Sequence, residues 1–104
     1  MTARDLPQLT QFLGGWFHQD WADEGYATPA EVVRAYARDE APKAVRATIL
    51  EIEKLLTRRL PPTQMRRLLG DDLGCAYDPT LEGKTFRAWL REVNGILRKL
   101  QPKI

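Results

Sequence analysis

The chain has 104 residues, of which 43% are hydrophobic and 29% are charged, and its formal net charge is +2. This composition excludes a disordered chain and predicts one domain, residues 1–104, with a single core. No apolar run approaches the roughly 20 residues that span a membrane, the first twenty residues lack the pattern of a signal peptide, and a lone cysteine excludes an internal disulfide. We therefore expect a single-domain cytoplasmic protein.

The first predicted element is an amphipathic helix that begins near Asp5 and Pro7. Asp5 is expected to cap it, and Pro7 suits a first helical turn. Its apolar residues recur at steps of three and four: Leu6, Leu9, Phe12, Leu13, Trp16 and Phe17. Gly14 and Gly15 each weaken a helix by about 1 kcal/mol, so the pair indicates a bend or the close approach of another backbone. Residues 18–27 show no sustained period and predict an ordered loop.

A second helix is predicted from its start signal. Thr28 is the expected cap, Pro29 occupies the first helical position, and Glu31 completes a capping box. Pro42 marks the approximate end of this helix. Its inward residues are expected to be Val32, Val33, Tyr36 and Ala37.

The next two helices meet at a pair of prolines. Residues 42–60 keep helical spacing at Val45, Ile49, Ile52, Leu55, Leu56 and Leu60. Pro61 and Pro62 stop this helix. Thr63 is then expected to cap a short fourth helix, with Gly70 and Gly74 as stop signals. Its inward residues are expected to be Met65, Leu68 and Leu69.

The last predicted helix follows a turn-rich segment, residues 75–84, and Thr85 is its expected cap. Its apolar face consists of Phe86, Trp89, Leu90, Val93, Ile96, Leu97 and Leu100. Arg98, Lys99 and Lys103 complement the helix dipole near its end. Since no stretch alternates like a strand, the predicted fold is all-α, a compact single-domain bundle of about five helices.

The residues offer poor material for catalysis or metal binding. His18 and Cys75 are the only histidine and cysteine, and nothing in the sequence places them together as a base and a nucleophile. We expect Cys75 to be a small buried residue and His18 to be held by hydrogen bonds near Trp16, Asp20 and Trp21. The sequence has neither zinc-ligand spacing nor a phosphate-binding loop. We predict a protein that is not an enzyme and needs no cofactor or metal.

Charge is divided unevenly along the chain. Residues 1–42 carry three basic and seven acidic side chains, whereas residues 43–104 carry thirteen basic and seven acidic ones. The acidic stretch, residues 20–31, has four acids and no base: Asp20, Asp23, Glu24 and Glu31. Aromatic residues lie within and beside it, and aromatic anchors surrounded by charge are typical of protein interfaces. A basic corner formed by Arg58, Arg59, Arg66 and Arg67 is the alternative, since it suits nucleic-acid phosphates.

Five pieces of the sequence, taken in order, resemble a known family. Residues 12–21 read FLGGWFHQDW and residues 28–33 read TPAEVV. Residues 51–56 read EIEKLL, residues 73–79 read LGCAYDP, and residues 83–90 read GKTFRAWL. Together they resemble the immunity proteins of bacterial contact-dependent growth inhibition systems.

This resemblance implies a function that composition does not reveal. In such systems, a neighbouring cell delivers the toxic C-terminal domain of a surface protein, often a nuclease, and a small cytoplasmic partner neutralises it. The implied partner is this toxin domain. The family does not transfer a binding surface, so the expected contact site, Asp20, Asp23, Glu24 and Glu31, rests on the charge of the acidic stretch. The inhibitor of a basic nuclease is often acidic, whereas the pI here is about 8.9. Either the contact surface is the acidic N-terminal half, or this toxin is not strongly basic. The alternative functions are a small nucleic-acid-binding regulator and a structural adaptor subunit.

Overall fold

A computed structural model describes residues 1–101, which form an all-α fold as predicted. The α-helices are α1 (Pro7–Trp16), α2 (Pro29–Asp39), α3 (Pro42–Thr57), α4 (Pro62–Arg66) and α5 (Phe86–Leu100). Three short 3-10 turns lie outside them: Ala3–Asp5, Trp21–Asp23 and Pro79–Glu82. A π-helical segment, Arg67–Asp72, prolongs α4. Lys103, expected near the end of α5, lies outside the described residues.

Helix α5 is the centre of the bundle and packs against α2, α3 and α4, while α1 packs against α3 and α2. The inward residues of α5 are Phe86, Trp89, Leu90, Val93 and Leu97, and all are buried. Ile96 is half-buried, and Leu100 is 47% exposed. The apolar face is therefore confirmed except at Leu100.

The other predicted apolar faces also form the core. Phe12 and Leu13 of α1, Val33 of α2 and Ile52 of α3 are buried, as are the inward residues expected after Pro62, namely Met65, Leu68 and Leu69. One polar pair is enclosed with them, since the hydroxyls of Tyr36 and Thr48 lie 2.7 Å apart. The hydrogen bond satisfies both buried hydroxyls.

Two of the four predicted helix caps are present. Thr28 accepts a hydrogen bond from the backbone N–H of Glu31, and Glu31 completes the capping box. Thr85 accepts one from the N–H of Ala88. The prediction for Asp5 was wrong, because its carboxylate accepts from the N–H of Thr2 within the preceding 3-10 turn.

Helix α3 ends earlier than predicted, and helix α4 begins earlier than predicted. Helix α3 stops at Thr57 rather than near Leu60, and Arg59 then adopts a φ of +51°. This left-handed backbone turns the chain before the prolines do. Helix α4 starts at Pro62, with Pro61 as its cap, so the prediction for Thr63 was also wrong.

The predicted stop signals after α4 have different roles. Gly70 was expected to end the helix but lies inside the π-helical segment. Gly74 has a φ of +77° and follows the last helical residues. A glycine reaches this conformation without steric cost, so Gly74 is the residue that ends the helical run.

Candidate functional site

The start of the acidic stretch is ordered by His18, which precedes it. His18 accepts a hydrogen bond at Nδ1 from the N–H of Asp20, at 3.1 Å. Its Nε2 lies 3.0 Å from Oε1 of Glu24. His18 thereby contacts the residues on both sides of the 3-10 turn at Trp21–Asp23. The predicted structural role of His18 is confirmed.

The four predicted contact residues have different tasks. All four are exposed. The carboxylate of Glu31 accepts from the N–H groups of Ala27 and Thr28, and that of Glu24 is held by His18. Within residues 1–101, the carboxylates of Asp20 and Asp23 form no ion pair. These two are therefore the acids of the stretch that are available to a partner.

An aromatic cluster in the core packs against Trp21 of the acidic stretch. Phe17 is fully buried, and its ring centroid lies 5.6 Å from that of Trp21 and 5.2 Å from that of Trp89. The ring of Tyr77 lies 5.5 Å from Trp21 and 5.0 Å from Trp89. Centroid separations of this size are favourable for aromatic pairs. Trp21 is half-buried on the core, so it fixes the acidic turn to the centre of the bundle.

The neighbouring segment, residues 73–77, is tied to the end of α1. The N–H of Ala76 donates to the carbonyl oxygen of Phe17 at 2.7 Å. A Cβ added to Gly74 would lie 3.5 Å from Cα of Gly14. The predicted close approach of another backbone to the glycine pair is confirmed at Gly14, whereas Gly15 has open space around it.

Cys75 and His18 do not form a catalytic pair. Cys75 is buried, and its Sγ donates to the carbonyl oxygen of Tyr77 at 3.4 Å. Burial raises the pKa of the Cys75 thiol to about 12, and a nucleophilic cysteine needs the opposite shift. Both nitrogens of His18 are occupied by Asp20 and Glu24. The predicted burial of Cys75 is confirmed.

The basic corner is rearranged in the structure. Arg59 and Arg66 line one cavity of about 560 Å³, while Arg58 and Arg67 are exposed outside it. The cavity wall is completed by Arg87 and Arg91 of α5. The sequence analysis missed these two arginines, because they lie at least twenty residues further along the chain than the basic corner. The available signal was their position next to the predicted apolar face, since Arg87 follows Phe86 and Arg91 follows Leu90.

Two general features of residues 1–101 bear on function. No helix within them is both long and apolar enough to cross a membrane. No group of three or more His, Cys, Asp or Glu side chains among them is arranged to hold a metal ion.

Comparison with known proteins identifies the family. Residues 5–97 match the model of the CdiI immunity protein family. This chain belongs to that family, and it is an immunity protein of a contact-dependent growth inhibition system. The resemblance found in the sequence is therefore confirmed.

A solved structure is similar over most of the chain. It is described as the crystal structure of a CdiA-CT/CdiI complex from Y. kristensenii, and the matched chain is 25% identical in sequence. The match covers 89% of this chain and 98% of that one, with a TM-score of 0.83. No curated protein matches this sequence.

Proposed function

We propose that this protein acts in the cytoplasm by binding the C-terminal toxin domain of its own growth inhibition system and blocking it without catalysis. Membership of the immunity family supports this function. So does the similarity to a chain of a structure described as a CdiA-CT/CdiI complex.

The contact site that we propose is the acidic stretch, residues 20–31, with Asp20 and Asp23 as its principal charges. The observation that carries this proposal is the fixed conformation of the stretch. The His18 bridge to Glu24 and the packing of Trp21 hold the turn in place before any partner binds. A preorganised charged surface binds with less loss of conformational entropy than a mobile one.

The charge of this site indicates the kind of toxin. An enzyme that binds nucleic acid needs a positively charged surface for the phosphates. The exposed carboxylates of Asp20 and Asp23 are complementary to such a surface. We therefore propose that the toxin domain is a nuclease, and that its basic surface meets the acidic stretch.

Titration calorimetry against the toxin domain encoded beside this gene tests the function. We expect binding of nanomolar order or tighter and none to an unrelated toxin domain. A nuclease assay with RNA and DNA substrates then tests the toxin's activity and its loss on adding the immunity protein. Absence of binding to the folded cognate domain would refute the proposed function.

Charge reversal tests the site separately. The variant D20K/D23K spares both Glu24 and Glu31, whose carboxylates are needed for local structure. We expect it to lower the association rate constant at low salt at least about tenfold, because opposite charges steer the encounter.

The matched control is D71K/D72K, which makes the same change of charge at two exposed residues of the π-helical segment. It should leave association nearly unchanged. Equal rates for D20K/D23K and the wild type would reject the acidic stretch as the contact site and leave the function intact.

A further inference from the structure

Four arginines converge on one cleft. The cavity of about 560 Å³ is lined by Arg59, Arg66, Arg87 and Arg91, which we call the arginine cleft. They come from three separate parts of the chain: the turn after α3, the last residue of α4 and the exposed side of α5. Cavities of roughly 300–1,000 Å³ are the usual size of protein binding pockets.

The charge of the arginine cleft is largely uncompensated. No aspartate or glutamate is among the eleven residues that line it. Arg66 pairs with Asp78 at 3.3 Å, through an exposed guanidinium. Within residues 1–101, Arg59 and Arg91 have no carboxylate within ion-pair distance. Arg87 donates a hydrogen bond to the carbonyl oxygen of Leu56, which leaves its positive charge unneutralised. Uncompensated positive charge attracts an anion, so the cleft is suited to a negatively charged ligand.

The backbone of Arg59 also indicates a binding role. Its φ of +51° makes it the only residue other than glycine with a positive φ among residues 1–101. This conformation is sterically unfavourable for an arginine and favours glycine or asparagine. Backbone strain of this kind concentrates at binding sites. Here it lies at a residue of the cleft wall.

The cleft also has an accessible apolar side. Leu60 is half-buried and Pro62 is exposed in its lining, whereas Met65 and Phe86 are only 2% and 5% exposed. Bases of single-stranded nucleic acid stack on exposed aromatic rings, and the one aromatic residue of the lining, Phe86, is buried. A carboxylate next to an apolar side chain fits both surfaces, with guanidinium groups gripping the oxygens in paired hydrogen bonds. The chemistry therefore favours an acidic protein segment over a nucleic acid.

The arginine cleft is connected to the acidic stretch through two adjacent residues. Tyr77 contacts Trp21 at 5.5 Å between ring centroids, and Asp78 binds Arg66. Consecutive Cα atoms are about 3.8 Å apart, so both sites are anchored on one short segment. A partner domain that contacts both would meet a negative surface and a positive cleft, in keeping with an acidic contact site in a chain with a pI of about 8.9.

We propose that the arginine cleft receives an acidic segment of the toxin domain, an Asp or Glu flanked by an apolar side chain, as a second contact beside the acidic stretch. This inference rests on the proposed function. The acidic stretch requires only a basic surface on the toxin domain. The arginine cleft requires an acidic segment as well.

The variant R59N/R91Q tests this inference. Asparagine tolerates the left-handed backbone at residue 59, and Arg91 is exposed, so the fold should be retained. We expect the dissociation constant for the toxin domain to rise at least about tenfold. The matched control R4Q/R46Q removes two exposed arginines outside the cleft and should bind as the wild type does.

The partner's carboxylate can be located by double-mutant cycles. Each exposed Asp or Glu of the toxin domain is changed to Asn or Gln and combined with R91Q. For one of these acids, we expect the double variant to lose at least about fivefold less affinity than the product of the two single losses predicts.

Three results would overturn the inference. Unchanged toxin affinity in R59N/R91Q would place the arginine cleft outside the interface, while tight wild-type binding would leave the proposed function standing. No binding by the wild type would refute both. A gel shift with single-stranded RNA at low salt that is abolished by R59N/R91Q would assign the cleft to nucleic acid instead.

Discussion

The carboxylate of Glu51, in the middle of α3, caps the N-terminus of α1. Its Oε1 accepts from the N–H of Leu9 at 2.9 Å, and its Oε2 accepts from the N–H of Gln8 at 3.3 Å. Leu6, which precedes α1, has no side-chain oxygen to do this. The first N–H groups of a helix lack partners within the helix, so α1 takes its cap, and a favourable charge for its dipole, from another helix.

Removing this cap should destabilise the whole bundle. We expect Glu51→Ala to lower the free energy of unfolding by about 1–3 kcal/mol, since two N–H groups lose a charged acceptor. Glu51→Gln should lose less, because one amide oxygen remains. Urea denaturation followed by circular dichroism measures both. The control is Glu92→Ala, whose exposed ion pair with Lys84 should contribute less than about 1 kcal/mol; equal losses for Glu51→Ala and Glu92→Ala would contradict the cap.

The two glycines of α1 should respond differently to alanine. A Cβ at Gly15 meets nothing within 4 Å, so Gly15→Ala should raise the free energy of unfolding by about 0.5–1 kcal/mol through helix propensity. A Cβ at Gly14 would lie 3.3 Å from the carbonyl oxygen of Leu73. Gly14→Ala should therefore be less stable than Gly15→Ala by at least about 1 kcal/mol in the same urea experiment. Equal stabilities would mean that the Leu73 backbone moves away freely.

The helix caps and the glycine pair show which features of the fold can be predicted from the sequence. Thr28 and Thr85 cap helices that begin one residue later, so their signals are local and were predicted. The cap from Glu51 crosses more than forty residues and has no local signature. The glycine pair signalled an approach, but only the folded chain identifies Leu73 as the neighbour and Gly14 as the tighter position.

The candidate sites divide in the same way. The acidic stretch is contiguous, so its charge was visible in the sequence. The engagement of Glu31 in its capping box was also predicted and is confirmed. What the structure adds is the contact of Glu24 with His18, which leaves Asp20 and Asp23 as the acids without a local partner. Only half of the arginine cleft could be predicted from the sequence, because Arg59 and Arg66 are near each other along the chain. Arg87 and Arg91 join them only through the packing of α5 against α4.

Cys75 should be inert in the folded protein. Burial raises the pKa of its thiol to about 12, so the reactive thiolate is scarce at neutral pH. We expect labelling by a thiol reagent such as DTNB at pH 8 to be slow in buffer and fast in 6 M guanidinium chloride, with the ratio of rates reporting the opening of the core. Equally rapid labelling in both conditions would contradict the buried position.

Glu53 of α3 should make the stability of the bundle depend on pH. Its carboxylate accepts hydrogen bonds from Arg98, through Nε at 2.8 Å, and from the side-chain amide of Asn94 at 3.3 Å. The Arg98 hydrogen bonds lower the pKa of Glu53 below its ordinary value of 4.5. A depressed pKa in the folded state stabilises the protein above the unfolded value, and this contribution is lost as the pH falls through the folded pKa.

Glu53→Gln should therefore be less stable than the wild type at pH 7, and the difference should narrow as the pH falls below about 4.5. Arg98→Gln should weaken the same pH dependence, because it removes the main cause of the shift. The double variant should then add little to either single one, since both changes break one interaction. Urea denaturation at a series of pH values between about 2.5 and 7 measures all four proteins. A difference between Glu53→Gln and the wild type that stays constant over this range would mean that Glu53 stabilises the bundle through packing rather than through its charge.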